Sequence, residues 1–246
     1  MFKQVSNEQN GKLDLLVNNA YAAVTAIADN IGKPFWEQPM TMWDTVNIVG
    51  LRNHYMCSIH AAKLMTVRRS GLIVNISSAG GLRYLFNVPY GVGKEAVDRM
   101  AADCAVELRK MNVAYVSVWP GPVPTENIMN AMKTKEKEFG SGMSPGMPKI
   151  DATKVFENGE TPEYVGKAVV GLATDSNIMK KSGKILLTAD LGYEYGFKDI
   201  NGKEPPNMRQ VNQALAMNPK TAWLAKIVPN FVYIPKWILS CAGQKL

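Results

Sequence analysis

Cysteine, histidine, acidic charge and long apolar runs are all scarce in this chain. The three cysteines, Cys57, Cys104 and Cys241, stand at no metal-ligand spacing. Cys57 and Cys104 fall on helical segments and read as buried thiols of a reducing compartment. The two histidines, His54 and His60, are six residues apart with no Cys or carboxylate cluster, which argues against a metal site. No apolar run reaches the roughly 18 residues of a membrane span, and Phe2 to Glu8 does not resemble a secretory signal. No internal repeat is present. Asp and Glu number 21 against 28 Lys and Arg, for a net charge of +7. The excess is uneven, because residues 198–246 hold seven Lys/Arg and two Asp/Glu. It belongs to a tail rather than to a groove, and with no nucleic-acid motif around it, nucleic-acid binding is a weak reading. A chain of 246 residues, 46% hydrophobic and 20% charged, is long enough for one globular domain with a sizeable core.

What the chain does hold is concentrated between Ile76 and Lys94. An apolar, β-branched run ends in Ser77-Ser78, and Tyr90 and Lys94 follow at a spacing of four. Residues at i and i+4 share one helix face. A phenol is a poor acid–base group at neutral pH, with an unperturbed pKa of about 10. A lysine cation held beside it favours the phenolate and lowers that pKa. Tuned in this way, Tyr90 can give a proton to a carbonyl oxygen or take one from an alcohol. Ser78 can donate a hydrogen bond to the same oxygen; Ser77 is its rival, but should close the strand. The bland alternatives are a tyrosine packed on the sheet and a solvated lysine.

Along the chain, residues 1–12 read as the end of a helix turning at Asn10-Gly11. Leu13 to Asn18 is a short apolar run expected to form a buried parallel strand. Residues 21–40, with Gly32, Pro34 and Pro39, read as an irregular loop. Thr41 and Asp44 form a capping pair before a long helix from about Met42 to Arg68. Leu72 to Ser77 is the next strand. Tyr90 to Met111 is a second long helix, with Val97, Met100, Ala101, Cys104, Ala105 and Leu108 at the 3.6-residue period. Val113 to Trp119 is a strand. Pro124 to Gly159 reads as a mobile flap with a short helix. Thr161-Pro162-Glu163 starts a capped helix that reaches Asp175. Gly183 to Thr188 is the last strand. Strands alternating with helices predict an α/β fold with a doubly wound parallel sheet, over residues 1–197, followed by a basic, apolar–aromatic tail over 198–246.

The motifs occur in an order that resembles the short-chain dehydrogenase/reductase family. Leu15-Leu16-Val17-Asn18-Asn19-Ala20 is similar to the family's Asn-Asn-Ala-Gly strand end. Asn47-Ile48-Val49-Gly50 is similar to its helix asparagine. Ser78, Tyr90 and Lys94 match the catalytic trio, and Pro120-Gly121-Pro122-Val123-Pro124-Thr125 matches the Pro-Gly segment beside the nicotinamide. The resemblance covers nearly the whole chain. It implies a Rossmann-like oxidoreductase, a carbonyl reductase or alcohol dehydrogenase, using NADP or NAD with NADPH favoured. It implies catalytic roles for Asn47, Ser78, Tyr90 and Lys94. It also implies cofactor contacts from Asn18, Ala20, Tyr90, Lys94, Pro120, Gly121, Val123 and Thr125. Implied substrates are small carbonyl or alcohol compounds such as steroids, ketones or xenobiotics. A homodimer through the two long helices is implied as well.

Two departures qualify the resemblance. Tyr21 stands where the family has glycine, and a side chain there restricts close backbone approach to a cofactor. The family's Thr-Gly-x-x-x-Gly-x-Gly turn, which places backbone donors and a helix N-terminus under the pyrophosphate, does not occur before Asn18. The expectation is therefore an N-terminally truncated version of the fold, with weak NAD(P) binding. The rival class is a truncated, catalytically silent binding or interfering subunit. The tail, with Trp223 to Pro229 and Phe231 to Leu239, suits either a membrane surface or packing against the body or a second subunit. The expected location is the cytoplasm or the cytosolic face of the endoplasmic reticulum.

Overall fold

The computed structural model of the chain describes residues 1–134, 151–216, 221 and 223–238. Four parallel strands form one sheet in the order β1 (Leu15–Asn18), β2 (Gly71–Ile76), β3 (Val113–Trp119) and β4 (Ile185–Leu187). Leu15 pairs with Leu72, Leu72 with Ala114, and Val118 with Leu186. Each crossover is helical. The first runs through α2 (Val24–Asp29), α3 (Met42–Asn47) and α4 (His54–Arg68), the second through α5 (Val88–Leu108), and the third through α6 (Glu126–Thr134), α7 (Ala152–Glu157) and α8 (Pro162–Thr174). An N-terminal helix, α1 (Phe2–Glu8), stacks Phe2 on His60 of α4 with ring centroids 5.2 Å apart.

All seven residues of β3 are buried, as a central parallel strand covered on both faces requires. Successive side chains point to opposite faces, so the strands feed two cores. Leu72, Val74, Ala114, Val116 and Val118 pack with Ala168 and Leu172 of α8 and with Leu191 of α9 (Thr188–Tyr195). Ile73, Val113 and Tyr115 pack on the other face with Ala61 and Met65 of α4 and Ala101, Ala105 and Leu108 of α5. Each Val, Leu, Ile or Met among these contributes roughly 1.5–3 kcal/mol when removed from water. This is a doubly wound, Rossmann-like sheet. The expected strand from Val113 to Trp119 is matched residue for residue, and the others within two residues at either end.

The predicted loop over 21–40 instead contains α2 and a single 3-10 turn at Phe35–Glu37. At six residues, α2 shows too little periodicity to read from sequence; its Ile27 and Ala28 are its only buried residues. The predicted continuous helix from Met42 to Arg68 is broken by a π-helical turn at Ile48–Asn53. Thr41 does not cap it, because its own backbone is already helical. The start of α5 is fixed by Asn87, whose side chain accepts from Tyr90 N–H at 2.9 Å. Of the expected flap, residues 124–134 and 151–159 are mostly α6 and α7, and residues 135–150 lie outside the described residues. Cys57 and Cys104 are half-buried free thiols rather than fully buried ones, and Cys241 lies outside the described residues.

After β4 the chain forms α9, then returns along the body. Asp190 of α9 accepts from Arg209 at 2.7 Å, pairs with Lys236 at 3.2 Å, and accepts from Asn207 at 2.8 Å. Gln210 bridges to Tyr233 in antiparallel fashion. The tail is thus tied to the body, while Trp223, Ile227, Phe231 and Trp237 remain exposed. Its residues 217–220, 222 and 239–246 lie outside the described residues.

Candidate active site

The carboxyl ends of β1, β2 and β3 lie along one edge of the sheet, and the candidate side chains gather beside it. In open α/β sheets this is the edge where ligands bind. Asn18 ends β1, Ser77 and Ser78 follow β2, and Pro120 follows β3. A network inside the sheet holds these ends in register. Asn18 Nδ2 donates to Asn75 Oδ1 at 2.8 Å and to Ser58 Oγ at 3.0 Å, and Tyr115 OH donates to Asn75 Oδ1 at 3.1 Å. Asn18 therefore acts here as a structural tie between β1, β2 and α4. Ala20 presents its carbonyl to His54 Nε2 at 3.1 Å. Burial pushes His54 down to about 4, so the ring is neutral near neutrality.

The two serines separate as their positions demand. Ser77 is buried and donates to the Lys94 carbonyl at 3.2 Å, which ties β2 to α5. Ser78 accepts from Gly80 N–H at 3.1 Å and faces Tyr90, where its hydroxyl favours the phenolate. Tyr90 is also held by two rings edge-on, Phe86 at 5.0 Å and Tyr21 at 6.1 Å.

Lys94 is buried, one helical turn after Tyr90. Its Nζ donates to the Ile76 carbonyl at 3.2 Å, and lies 5.0 Å from the Tyr21 ring centroid and 5.9 Å from that of Tyr90. Burial pushes it down to about 8, against the opposing pull of Asp98. The expected lowering of the Tyr90 pKa is not what this arrangement produces. Burial raises it, the Asp98 charge adds to the rise, and only the Ser78 hydrogen bond opposes. With its ammonium turned to the Ile76 carbonyl, Lys94 does not offset the desolvation of the phenol.

Asn47 ends α3 and enters the same cleft. Tyr21, Asn47, Gly50, Tyr90, Gly93 and Lys94 line it together. Glycine at 93 leaves the Asn47 amide its place between α3 and α5, since a Cβ there would collide with Asn47 Oδ1. Both polar atoms of the Asn47 amide are buried without a hydrogen-bond partner among the described residues. Pro120, Gly121, Val123 and Thr125 form the loop between β3 and α6. Thr125 N–H donates to the Val123 carbonyl at 2.8 Å, and the Pro122 carbonyl accepts from Glu160 N–H at 2.9 Å.

Two carboxyls escaped the sequence reading. Asp98 is buried beneath Lys94 and accepts from Trp119 Nε1 at 3.0 Å and from Ser117 Oγ; burial pushes it up to about 6. Its signal was an acid four residues after Lys94, on the apolar face of α5. Glu160, braced against Gly121 and Thr188, is pushed by burial up to about 7. Nothing in the local pattern marks it, because its partners come from three distant segments.

Comparison with known proteins agrees with this arrangement. The family described as short chain dehydrogenase matches residues 1–136. Dehydrogenase/reductase SDR family member 1 of Mus musculus is 47% identical over 248 residues, covering 100% of this chain and 76% of that protein. Its namesake in Homo sapiens is 47% identical over 252 residues, with the same coverage. Among solved structures, ElxO with NADP bound has a TM-score of 0.59 at 25% identity, covering 76% of this chain and 72% of that one. Levodione reductase has a TM-score of 0.61 at 20% identity, covering 79% and 72%, a likeness of fold. With relatives of this identity aligned along its whole length, the chain belongs to the short-chain dehydrogenase/reductase family of oxidoreductases.

Proposed function

We propose that the protein reduces a small carbonyl compound to an alcohol, or runs the reverse reaction, with Tyr90 as the acid/base group. The observation that supports this most is the gathering of Ser78, Tyr90, Lys94 and Asn47 at the carboxyl ends of adjacent parallel strands. A nicotinamide dinucleotide supplies the hydride in this chemistry. The donor set here fits its nicotinamide half. A lysine ammonium has three N–H donors, and among the described residues Lys94 Nζ makes a single hydrogen bond, to Ile76 O. Lys94 and Tyr90 would hold the ribose hydroxyls. The loop of Pro120, Gly121, Val123 and Thr125 would face the carboxamide, and Asn18 and Ala20 would line the approach. NADPH is the favoured form, with NADH as the alternative to be tested beside it.

The chain's own part follows from its electrostatics. A phenol raised above its ordinary range stays protonated at neutral pH and serves as a proton donor. Ser78 orients the carbonyl oxygen toward Tyr90 Oη. As the carbonyl carbon is reduced, the proton on Oη passes to its oxygen and yields the alcohol. The phenolate left behind would draw the Lys94 cation, 5.9 Å from its ring, away from the Ile76 carbonyl. The Asn47 amide on the same cleft, unpartnered among the described residues, is the group we assign to the return of the proton. Steroids, ketones and xenobiotic carbonyls are the substrate classes to test. The half-exposed Tyr55, Met56 and Val92 of α4 and α5 fit a second copy of the chain. The exposed tail aromatics fit a membrane surface, although no helix among the described residues is long and apolar enough to cross one.

The test is consumption of NADPH, and separately NADH, by the purified chain over a panel of such carbonyls, with Ser78→Ala in parallel. Turnover of at least one class, weakened by Ser78→Ala through kcat, is expected. No turnover with either nucleotide across the panel overturns the proposal.

A further inference from the structure

Tyr21 departs from the family's glycine, and the structure gives that side chain a specific place. Its ring lies 5.0 Å from Lys94 Nζ, nearer than the Tyr90 ring at 5.9 Å. The face of an aromatic ring attracts a cation through its quadrupole, more strongly once both are out of water. Lys94 is such a cation: it is buried, and its ammonium donates to the Ile76 carbonyl. The space for the ring is reserved from the other side. Gly50, in the π-helical turn Ile48–Asn53, would put a Cβ 2.8 Å from Tyr21 Cδ2 and 3.0 Å from Cε2. The hydroxyl contributes no such contact, as it is buried without a partner among the described residues.

We propose that Tyr21 is a positioning residue for Lys94, its ring face helping to keep the buried ammonium charged and held between the Ile76 carbonyl and the two tyrosine rings. This rests on the reading of Lys94 as the working cation of the site. The groups facing Lys94 are Asp98 and Tyr90 from its own helix, His54 from α4 and Tyr21 from the loop after β1. Asp98 favours the cation, while neutral His54 supplies no charge near neutrality. The ring therefore acts beside Asp98 and the Ile76 carbonyl, against a burial that already brings Lys94 down to about 8. A site that lost it would hold more neutral lysine at physiological pH and lose the charge that favours the phenolate.

The two halves of the tyrosine can be separated. Tyr21→Phe keeps the ring and removes only an unpartnered hydroxyl. Tyr21→Leu keeps an apolar side chain at the position but removes the π face and the outer ring atoms that meet Gly50. The readout is the titration of the Lys94 side chain, followed by NMR of the 13Cε and 15Nζ signals in the ligand-free full chain. In Tyr21→Leu the Lys94 pKa should fall by about one pH unit. In Tyr21→Phe it should stay within about 0.3 of wild type, since the ring that acts on the cation is unchanged. An unchanged titration in Tyr21→Leu, or an equal shift in both variants, overturns the proposal. Because no nucleotide or substrate is present, that failure would concern Tyr21 alone. A normal titration in a protein that turned over no carbonyl would instead fault the functional reading.

Discussion

Replacing Glu160 with Gln should make the protein more stable at alkaline pH and leave it nearly unchanged in mild acid. Glu160 is 1% exposed, and its Oε1 has no partner among the described residues. Thr188 Oγ1 donates to Oε2 at 2.7 Å, and the Gly121 N–H also favours the ionised form. These do not repay the loss of water, and nearby Asp199 adds repulsion, so the carboxyl rises from 4.5 to about 7. The native state then keeps a proton that the unfolded chain has released. Stability is highest below the unfolded pKa and is lost as pH rises from about 4.5 to about 7. A rise of that size corresponds to about 3 kcal/mol, at 1.36 kcal/mol per pH unit. Glutamine carries no charge to desolvate and can still accept from Thr188. Wild type and Glu160→Gln are to be unfolded with urea at pH 5 and pH 8. The variant should gain about 1–3 kcal/mol at pH 8, equivalent to roughly 3–10 °C in Tm, and little at pH 5. A gain independent of pH, or a loss at pH 8, would show that Glu160 is not a desolvated carboxyl bracing the Pro120–Thr125 loop.

Gly50→Ala should destabilise the fold by about 1–3 kcal/mol through overpacking on the Tyr21 ring, and Tyr21→Leu in the same chain should recover part of that loss. Strict additivity in this double-mutant cycle would mean that the two positions do not touch in solution. Replacing the exposed Trp223, Phe231 and Trp237 together by Ser should lower binding to anionic lipid vesicles at least tenfold, since these rings supply apolar contact to an interface. High salt should weaken the wild type only in part, because apolar burial is not screened. Equal flotation of the two proteins would place the tail's role in packing instead.

The sheet was legible because its strands are short apolar runs bounded by turn residues, and its long helices carry a 3.6-residue period over many turns. Ser78, Tyr90 and Lys94 were legible for the same reason, as they are anchored to a strand end and to one face of α5. The break at Ile48–Asn53 was not, since a π turn keeps the composition of a helix and shifts only its hydrogen bonds. Nor were α2 and α9, six and eight residues long, each formed through tertiary packing. The electrostatics were least legible. Sequence spacing puts Lys94 one turn from Tyr90, but the direction of the phenol shift depends on burial and on Asp98, and the lysine itself bonds to Ile76. Tyr21 was visible as a departure from the family pattern, yet its nearness to Lys94 and Gly50 arises only when β1, α5 and the π turn are brought together.

The central claim, that Tyr90 carries the proton, is tested most directly by Tyr90→Phe. The phenylalanine fills the same space against Phe86 and Tyr21 and removes only the hydroxyl. With a carbonyl substrate found for the wild type, kcat should fall by about 10²–10⁴-fold, the usual worth of a positioned acid. Nucleotide affinity, measured by fluorescence titration, should change far less. A kcat within a few-fold of wild type would contradict the account, as would a loss of turnover fully explained by lost affinity.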